Sequence, residues 1–275
     1  MIASPTIIDP KPLVSYLYAT YNIGILSKNI IQASKFTDSY PIEICISDGG
    51  SSDSSLEQIR LLAPIVRILK SSSDASMYDA WNQGAKLCLG SYIAVLGADD
   101  IPCEKFLQFI INNVDLECWF ASPPLIYGDI IRRYSAKHCS RQKSHAKSSL
   151  GSIFPRMDVP HPGALIRSDV YRQISYDIEI KLASDFDFMI GLASTYNVKS
   201  WLYVSLPQSV IGSGGVSNTY GALSLYLRDY LFIQKKRKIF LWHEILRIFL
   251  LKILYLLHIV EFVRLNALHR DYDKR

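Results

Sequence analysis

Between residues 13 and 100 the chain repeats one pattern four times: a short apolar run, a polar or glycine-rich break, then a stretch with helical spacing. Leu13 to Ala19 reads as a strand and ends in Thr20-Tyr21-Asn22, and residues 24–36 follow with helical spacing. Ile42 to Ser47 alternates like a strand and ends in Asp48-Gly49-Gly50-Ser51-Ser52-Asp53. Ser54 and Glu57 then stand at capping-box spacing and open a second helix. Val66 to Leu69 is the third strand. Met77 to Leu89 is a helix with Tyr78, Trp81, Ala85 and Leu89 on one face and Asp79, Asn82, Gln83 and Lys86 on another. The fourth run, Ser91 to Leu96, passes through Gly97-Ala98 into Asp99-Asp100, and a helix starts near Cys103. The order β-α-β-α-β-α-β predicts an α/β fold with a mostly parallel, Rossmann-like sheet flanked by helices.

In such a sheet the carboxyl ends of the strands face the ligand crevice, so the polar breaks carry the candidate chemistry. Adjacent carboxylates such as Asp99 and Asp100 can hold a hard divalent cation, Mg²⁺ or Mn²⁺, beside substrate phosphates. They serve equally well to make a turn or to cap the following helix, and local sequence does not choose. Strand, glycine turn and helix around Asp48 make a layout for a nucleotide at a strand end. It is not a P-loop, because no Gly-Lys-Ser/Thr follows.

Four segments taken together carry a family resemblance. They are Thr20-Tyr21-Asn22, Asp48 to Asp53, Tyr78-Asp79-Ala80-Trp81-Asn82-Gln83-Gly84 and Gly97-Ala98-Asp99-Asp100. In this order and spacing they resemble the nucleotide-binding half of the family 2 glycosyltransferases. His161-Pro162-Gly163, Ser184-Asp185-Phe186-Asp187 and Gly214-Gly215-Val216-Ser217 resemble the acceptor half of the bacterial surface-polysaccharide members. The resemblance spans about residues 12–238 and implies the GT-A fold, a nucleotide-diphospho-sugar donor and a Mg²⁺ or Mn²⁺ cofactor. It places Asp100 and Asp99 at the metal, and Thr20, Tyr21, Asp48, Asp79, Asn82 and Asp99 around the nucleotide sugar. Asp185 is then the catalytic base, with His161 and Asp187 in the acceptor region. Two positions depart from the pattern. Gly49 stands where many relatives carry a second acidic residue, which bears on the base-binding role of Asp48. Trp81 stands where near relatives usually carry Met.

Around Asp185, local sequence by itself slightly favours a residue that complements a helix dipole. Ser184 and Asp187 are spaced as a capping box, which makes Asp187 structural. The resemblance reverses the reading for Asp185. A helix N-terminus weakens a base, but desolvation by Leu182, Phe186 and Phe188 acts the other way. His161, after Pro160, reads as a turn residue with a supporting role.

Composition changes the picture mainly at the carboxyl end. The chain has 275 residues, 49% of them hydrophobic, and a net charge of +5. From Arg228 onward 11 Lys and Arg face 5 Asp and Glu, so the tail accounts for the positive balance. Lys235-Lys236-Arg237-Lys238 precedes an apolar segment, Ile239 to Leu265, whose polar residues His243, Glu244, Arg247, His258, Glu261 and Arg264 share one sector. That pattern predicts an amphipathic helix on an anionic membrane surface. A spanning helix is disfavoured by Glu244, Arg247, Lys252 and Glu261, and packing on the core or in a homodimer is the rival use. Residues 132–147 are basic and read as a loop, either solvated or facing a phosphate-bearing ligand. The five cysteines are scattered without a metal or disulfide pattern, which fits a reducing compartment. No signal peptide is expected, since residues 1–12 hold three prolines and no apolar core. No nucleic-acid motif accompanies the basic cluster.

The expected organisation is a catalytic domain over residues 1–218, with halves near 1–105 and 106–218, followed by basic helices over 219–275. The expected activity is inverting transfer of a sugar from a nucleotide-diphospho-sugar to a lipid-linked saccharide in polysaccharide biosynthesis, at the cytoplasmic face of a bacterial inner membrane. The rivals are a nucleotidyltransferase on a similar sheet and a non-catalytic nucleotide-sugar-binding scaffold.

Overall fold

The structure is a computed structural model of the chain. It describes residues 11–23, 28–61, 66–115, 122–134, 138–144, 159–212 and 220–239, and beyond them Ile245, Leu246, Phe249, Leu250 and Ile253. The Gly214 to Ser217 motif, residues 24–27 and most of the apolar tail lie outside these residues.

The strands β1 (Val14–Thr20), β2 (Ile42–Asp48), β3 (Val66–Ser71) and β4 (Tyr92–Leu96) pair in parallel in the order β3-β2-β1-β4. Every residue of β2 and of β4 is buried, as strands covered on both faces require. Glu43 is a buried charged residue within β2. Its carboxylate accepts from Ser15 Oγ (2.6 Å) and from the Leu89 N–H (2.6 Å), and pairs with Arg67.

The helices α1 (Lys28–Ser34), α2 (Ser55–Leu61) and α3 (Met77–Ala85) connect these strands. Helix α3 starts because extended Ser76 caps it, its side chain accepting from the Asp79 N–H at 3.3 Å. It stops four residues before the predicted end, where the Gly84 carbonyl receives both the Leu87 and Cys88 N–H groups. Tyr78, Trp81 and Ala85 are buried as the spacing predicts, but Leu89 is 52% exposed because it lies beyond the helix.

The second half extends the same sheet with mixed pairing. Strand β8 (Leu165–Arg167) runs antiparallel to β4 and to β6 (Leu125–Arg133), and β9 (Leu202–Ile211) runs parallel to β6. Short β5 (Ile101–Pro102) closes against β9, and β7 (Cys139–Gln142) forms a hairpin on β6. Part of the segment read as a basic loop is therefore a strand. Its Arg141 is held by Asp129 and by the Ser205 carbonyl.

Two apolar layers flank the sheet. One lies under α3, the short α5 (Val170–Gln173) and α6 (Ser184–Thr195), with Leu17, Cys45, Trp81, Val95 and Phe188. The other lies under α1 and α4 (Glu104–Asn113), with Tyr16, Ile44, Leu96 and Phe106. Burying each large side chain contributes about 2–3 kcal/mol, so the paired layers fix the strand ends from both sides. A third cluster joins α6 to α7 (Tyr220–Arg237) through Phe186, Ile190, Tyr230 and Ile233.

The turn before the tail falls where the apolar segment was expected to begin. Helix α7 ends at Arg237. Lys238 turns left-handed (φ 54°), and the Ile239 N–H reaches back to the Gln234 carbonyl at 3.2 Å, a Schellman-type stop. The basic cluster thus does not run on into the apolar segment as one helix. Ile239 and Ile245 pack against the α6–α7 cluster. Among the described residues no helix is long and apolar enough to cross a membrane.

Candidate active site

The turns after β1, β2 and β4 meet at one edge of the sheet and are stitched together. Asp48 closes β2 with a buried carboxylate that accepts five hydrogen bonds. The donors are the N–H groups of Gly50 (3.0 Å) and Ser51 (2.9 Å) and the hydroxyls of Ser51 (2.6 Å), Thr20 (3.0 Å) and Ser71 (3.2 Å). These donors hold its carboxyl below the usual range although burial pushes the other way. Gly50 has a φ of 82°, and a Cβ there would meet the Ser73 backbone at 2.9 Å, so the turn requires glycine. Asn22, at a φ of 46°, accepts from the Ser52 N–H (2.9 Å) and donates its own N–H to Ser51 Oγ (2.8 Å).

Asp48, expected to meet a nucleobase, is the centre of this turn. Both of its oxygens are committed to building the turn, and so is the Thr20 hydroxyl. Beside this turn stand the Tyr21 ring, 65% exposed, and the half-buried Asp74. Asp74, which sequence reading missed, places a carboxylate oxygen 2.8 Å from where a Cβ on Gly49 would stand. Burial raises the Asp74 carboxyl, and the charges of Asp79 and Asp48 add to this.

Beyond β4, Asp99 and Asp100 occupy different environments. Asp99 is half-buried, and its backbone carbonyl accepts from Asn29 Nδ2 and from Arg133 Nη2 (3.3 Å). Asp100 is 5% exposed, and its two oxygens accept from the Gly97 N–H (2.9 Å) and the Gly212 N–H (3.1 Å). It is therefore a tie between the β4 turn and the end of β9 as well as a candidate ligand. Burial pushes its carboxyl up to about 6 against the pull of those two N–H groups; Asp99 raises it further and Arg133 opposes. The backbone at Gly212 lies so close to the Asp99 carboxylate that a Cβ there would collide with it. Arg133 and Gly212 are site residues that no local motif announces. They reach the site through sheet pairing across the second half. The donor set is hard oxygen, which suits Mg²⁺ or Mn²⁺.

Among the described residues, Glu43, Cys45 and Cys88 also bring metal-capable atoms within 4.8 Å of one another. Glu43 and Cys45 lie toward the start of β2, away from the Asp48 end, and the carboxylate is engaged by Ser15, Leu89 and Arg67.

Asp185 sits in the first turn of α6. It is half-buried, and its Oδ1 accepts from the Phe186 N–H at 2.8 Å. Burial outweighs that hydrogen bond and pushes the carboxyl up to about 6. The desolvation expected from neighbouring apolar groups thus wins over the helix N-terminus. The phenols of Tyr78 and Tyr176 are close enough to feel its charge. Tyr78 also donates to the Leu182 carbonyl at 2.9 Å, which ties α3 to the start of α6.

Asn82, Asp79, His161 and Asp187 are all engaged inside the fold, His161 as the supporting turn residue expected. Asn82 has its whole amide engaged with the Tyr176 backbone, donating to its carbonyl (2.8 Å) and accepting from its N–H (2.9 Å). Asp79 accepts from the Ala75 N–H (3.0 Å) and closes the cap of α3 with Ser76. His161 is 2% exposed, sealed beside Trp81, Tyr176 and Phe188, with Nε2 2.9 Å from the Tyr176 hydroxyl. Burial pushes the ring down to about 3, so it is neutral at ordinary pH and holds the 160–163 turn from within. The Ser184–Asp187 capping box does not form. Ser184 Oγ is buried without a partner, and Asp187 turns away to Lys236 and Arg237.

A parallel sheet with carboxylates at its strand ends, extended by a mixed half, is the GT-A architecture that the resemblance implied. The model of glycosyl transferase family 2 matches residues 23–175, and the chain belongs to that family. A PGL/p-HBAD biosynthesis glycosyltransferase of Mycobacterium tuberculosis is 24% identical over 217 residues, which cover 76% of this chain and 80% of that relative. Among solved structures, TarS 1–349 of S. aureus superposes with a TM-score of 0.57 at 15% identity, over 79% of this chain; the match spans only 65% of the TarS fragment. Glucosyl-3-phosphoglycerate synthase of Mycobacterium tuberculosis, in complex with Mn²⁺, UDP-glucose and phosphoglyceric acid, gives 0.56 at 12% identity, over 84% of this chain and 81% of that one.

Proposed function

We propose that the protein is an inverting, metal-dependent glycosyltransferase that moves one sugar from a nucleotide-diphospho-sugar to a lipid-linked saccharide in polysaccharide biosynthesis. The observation that carries the reading is the Asp99–Asp100 pair at the end of β4, with Arg133 beside it, on the same edge as the Asp48 turn. Asp99 and Asp100 hold the cation, Mg²⁺ or Mn²⁺, which when bound neutralises charge developing on the leaving diphosphate. Arg133 adds a fixed positive charge at the same place. Tyr21 offers its exposed ring to the base, while Thr20, Asp48, Asp79 and Asn82 hold the turns that shape the donor site. Asp185 takes the proton from the acceptor hydroxyl; a carboxyl near 6 is ionised at neutral pH yet more basic than an exposed one. His161 and Asp187 support the acceptor side from inside the fold.

For the acceptor, the support is a row of exposed apolar residues. Leu246, Phe249, Leu250 and Ile253 are each 38–53% exposed, and their spacing puts them on one helical face. With exposed Lys235 and Lys238 nearby in sequence, they suit a peripheral position on the cytoplasmic face of an anionic bacterial membrane. The solved relative that holds phosphoglyceric acid makes a small anionic acceptor the second reading.

The test is a screen of UDP- and GDP-sugars with Mn²⁺ or Mg²⁺, read first as thermal stabilisation and then as release of nucleoside diphosphate. A donor at 100 times its dissociation constant adds about 2.7 kcal/mol. Asp99→Asn and Asp100→Asn should lose the metal-dependent part of that shift. Alanine at 100 is the poorer probe, since it also unties Gly97 from Gly212. Release of pyrophosphate would support a nucleotidyltransferase, and binding without any release would support a scaffold.

A further inference from the structure

We propose that α7 is part of the catalytic framework, with Asp229 and Arg237 as positioning residues that fix the start of α6 and so set where Asp185 points. This rests on the reading of Asp185 as the base. Helix α6 has no cap of its own: Ala183 at its N-cap makes no side-chain capping bond, and Ser184 Oγ is unpartnered. The missing acceptor comes from α7. Asp229, 1% exposed, accepts from the Leu182 N–H (2.7 Å) and the Ala183 N–H (3.3 Å). Only Ser184 separates them from the acid.

One turn further on, Arg237 grips the buried Asp187 with a two-pronged contact. Nε reaches Oδ1 at 2.7 Å and Nη2 reaches Oδ2 at 2.9 Å, and Nη2 also donates to the Asp187 carbonyl at 3.0 Å. Such a fork fixes orientation as well as distance. Lys236 binds Asp187 (2.9 Å) and Asp177 (2.6 Å). Phe186, between the two gripped points, packs edge-on against Tyr230 of α7 at 5.3 Å. Asp185 therefore lies on a turn held at both ends by one helix about 50 residues later, and from the other side by Tyr78. Two of the four basic residues read as a membrane-facing cluster are spent on this clasp.

The test uses the full chain, the UDP- and GDP-sugar panel with Mn²⁺, and hydrogen exchange. Asp229→Ala should speed amide exchange locally over residues 182–187. It should lower kcat by about 10- to 100-fold with the donor KM within about twofold, as expected for a misplaced reacting group. Asp229→Asn keeps an acceptor oxygen and should restore most of kcat. Arg237→Lys keeps the charge but not the fork and should remain impaired. In an Asp185→Asn background, Asp229→Ala should add little further loss. An unchanged kcat in folded Asp229→Ala, a uniform rise in exchange across the whole chain, or full additivity with Asp185→Asn would each overturn the proposal. Full turnover by Asp185→Asn alone would instead remove the base assignment. The local exchange result would still report the clasp as structure, and the catalytic role proposed for it would fall.

Discussion

Asp185 has two consequences at the scale of a single residue. Its carboxyl is raised from 3.8 to about 6 by burial, so the folded state disfavours the charge that the proposed base needs. In that proposed role it works when ionised, so kcat should rise with pH through about 6 and level off above. This holds at saturating Mn²⁺, which keeps Asp100 ionised. For stability the sign is opposite. A carboxyl with a raised folded pKa costs nothing below the unfolded value of 3.8, and its cost is complete above about 6. Asp185→Asn should therefore stabilise the protein at pH 7.5 by on the order of 1 kcal/mol, allowing for solvent access. The gain should vanish below about pH 4, while turnover falls by about two or more orders of magnitude. A melting series against pH checks this, and a variant equally stable at both pH values would contradict it. The place of Asp185 at the start of a helix was legible in the chain. The extent of its burial was not, because it depends on how α6 packs, and Tyr78 of α3 reaches the start of that helix from 104 residues away.

Among elements, the parallel half was legible and the mixed half was not. Each of β1 to β4 is a run of five to seven residues ending in a polar break, so pattern and turn coincide. By contrast β5, β7 and β8 have two to four residues, too short for periodicity to register. Their pairing is what carries Arg133 and Gly212 to the Asp99–Asp100 turn. Asn82 shows the same limit: polar and on the expected face of α3, it spends its amide on a backbone 94 residues away. The junction of β9 with the β4 turn gives a direct test. Gly212→Ala would push a methyl group into the Asp99 carboxylate. Because supporting contacts tune metal affinity by about 10- to 100-fold, Mn²⁺ should bind at least tenfold more weakly in a UDP or GDP titration. The melting temperature without metal should change little. Unaltered Mn²⁺ affinity would separate Asp99 from the metal.

For the whole molecule the question is what the tail does once α7 is tied to the catalytic half. The apolar segment Ile239 to Leu265 was read as an amphipathic helix following the basic cluster; the chain turns at Lys238 before it and uses Ile239 and Ile245 against its own core. Truncation after Lys238 would therefore disturb folding and membrane binding together. The exposed row Leu246, Phe249, Leu250 and Ile253 separates them, because those side chains are 38–53% accessible and charging them costs the core little. Burying such groups in a lipid interface contributes a salt-insensitive attraction, while Lys235 and Lys238 add about 1 kcal/mol each that salt screens. The double variant Phe249→Glu/Leu250→Glu should keep the melting temperature and the donor-binding shift of the parent. It should fail to float with vesicles of anionic phospholipid at low salt and at high salt alike, and should work poorly on a lipid-linked acceptor while donor hydrolysis persists. If the parent chain itself ignores such vesicles, or the double variant loses stability in step with vesicle binding, the row belongs to a protein contact, and the small anionic acceptor becomes the better reading of the site.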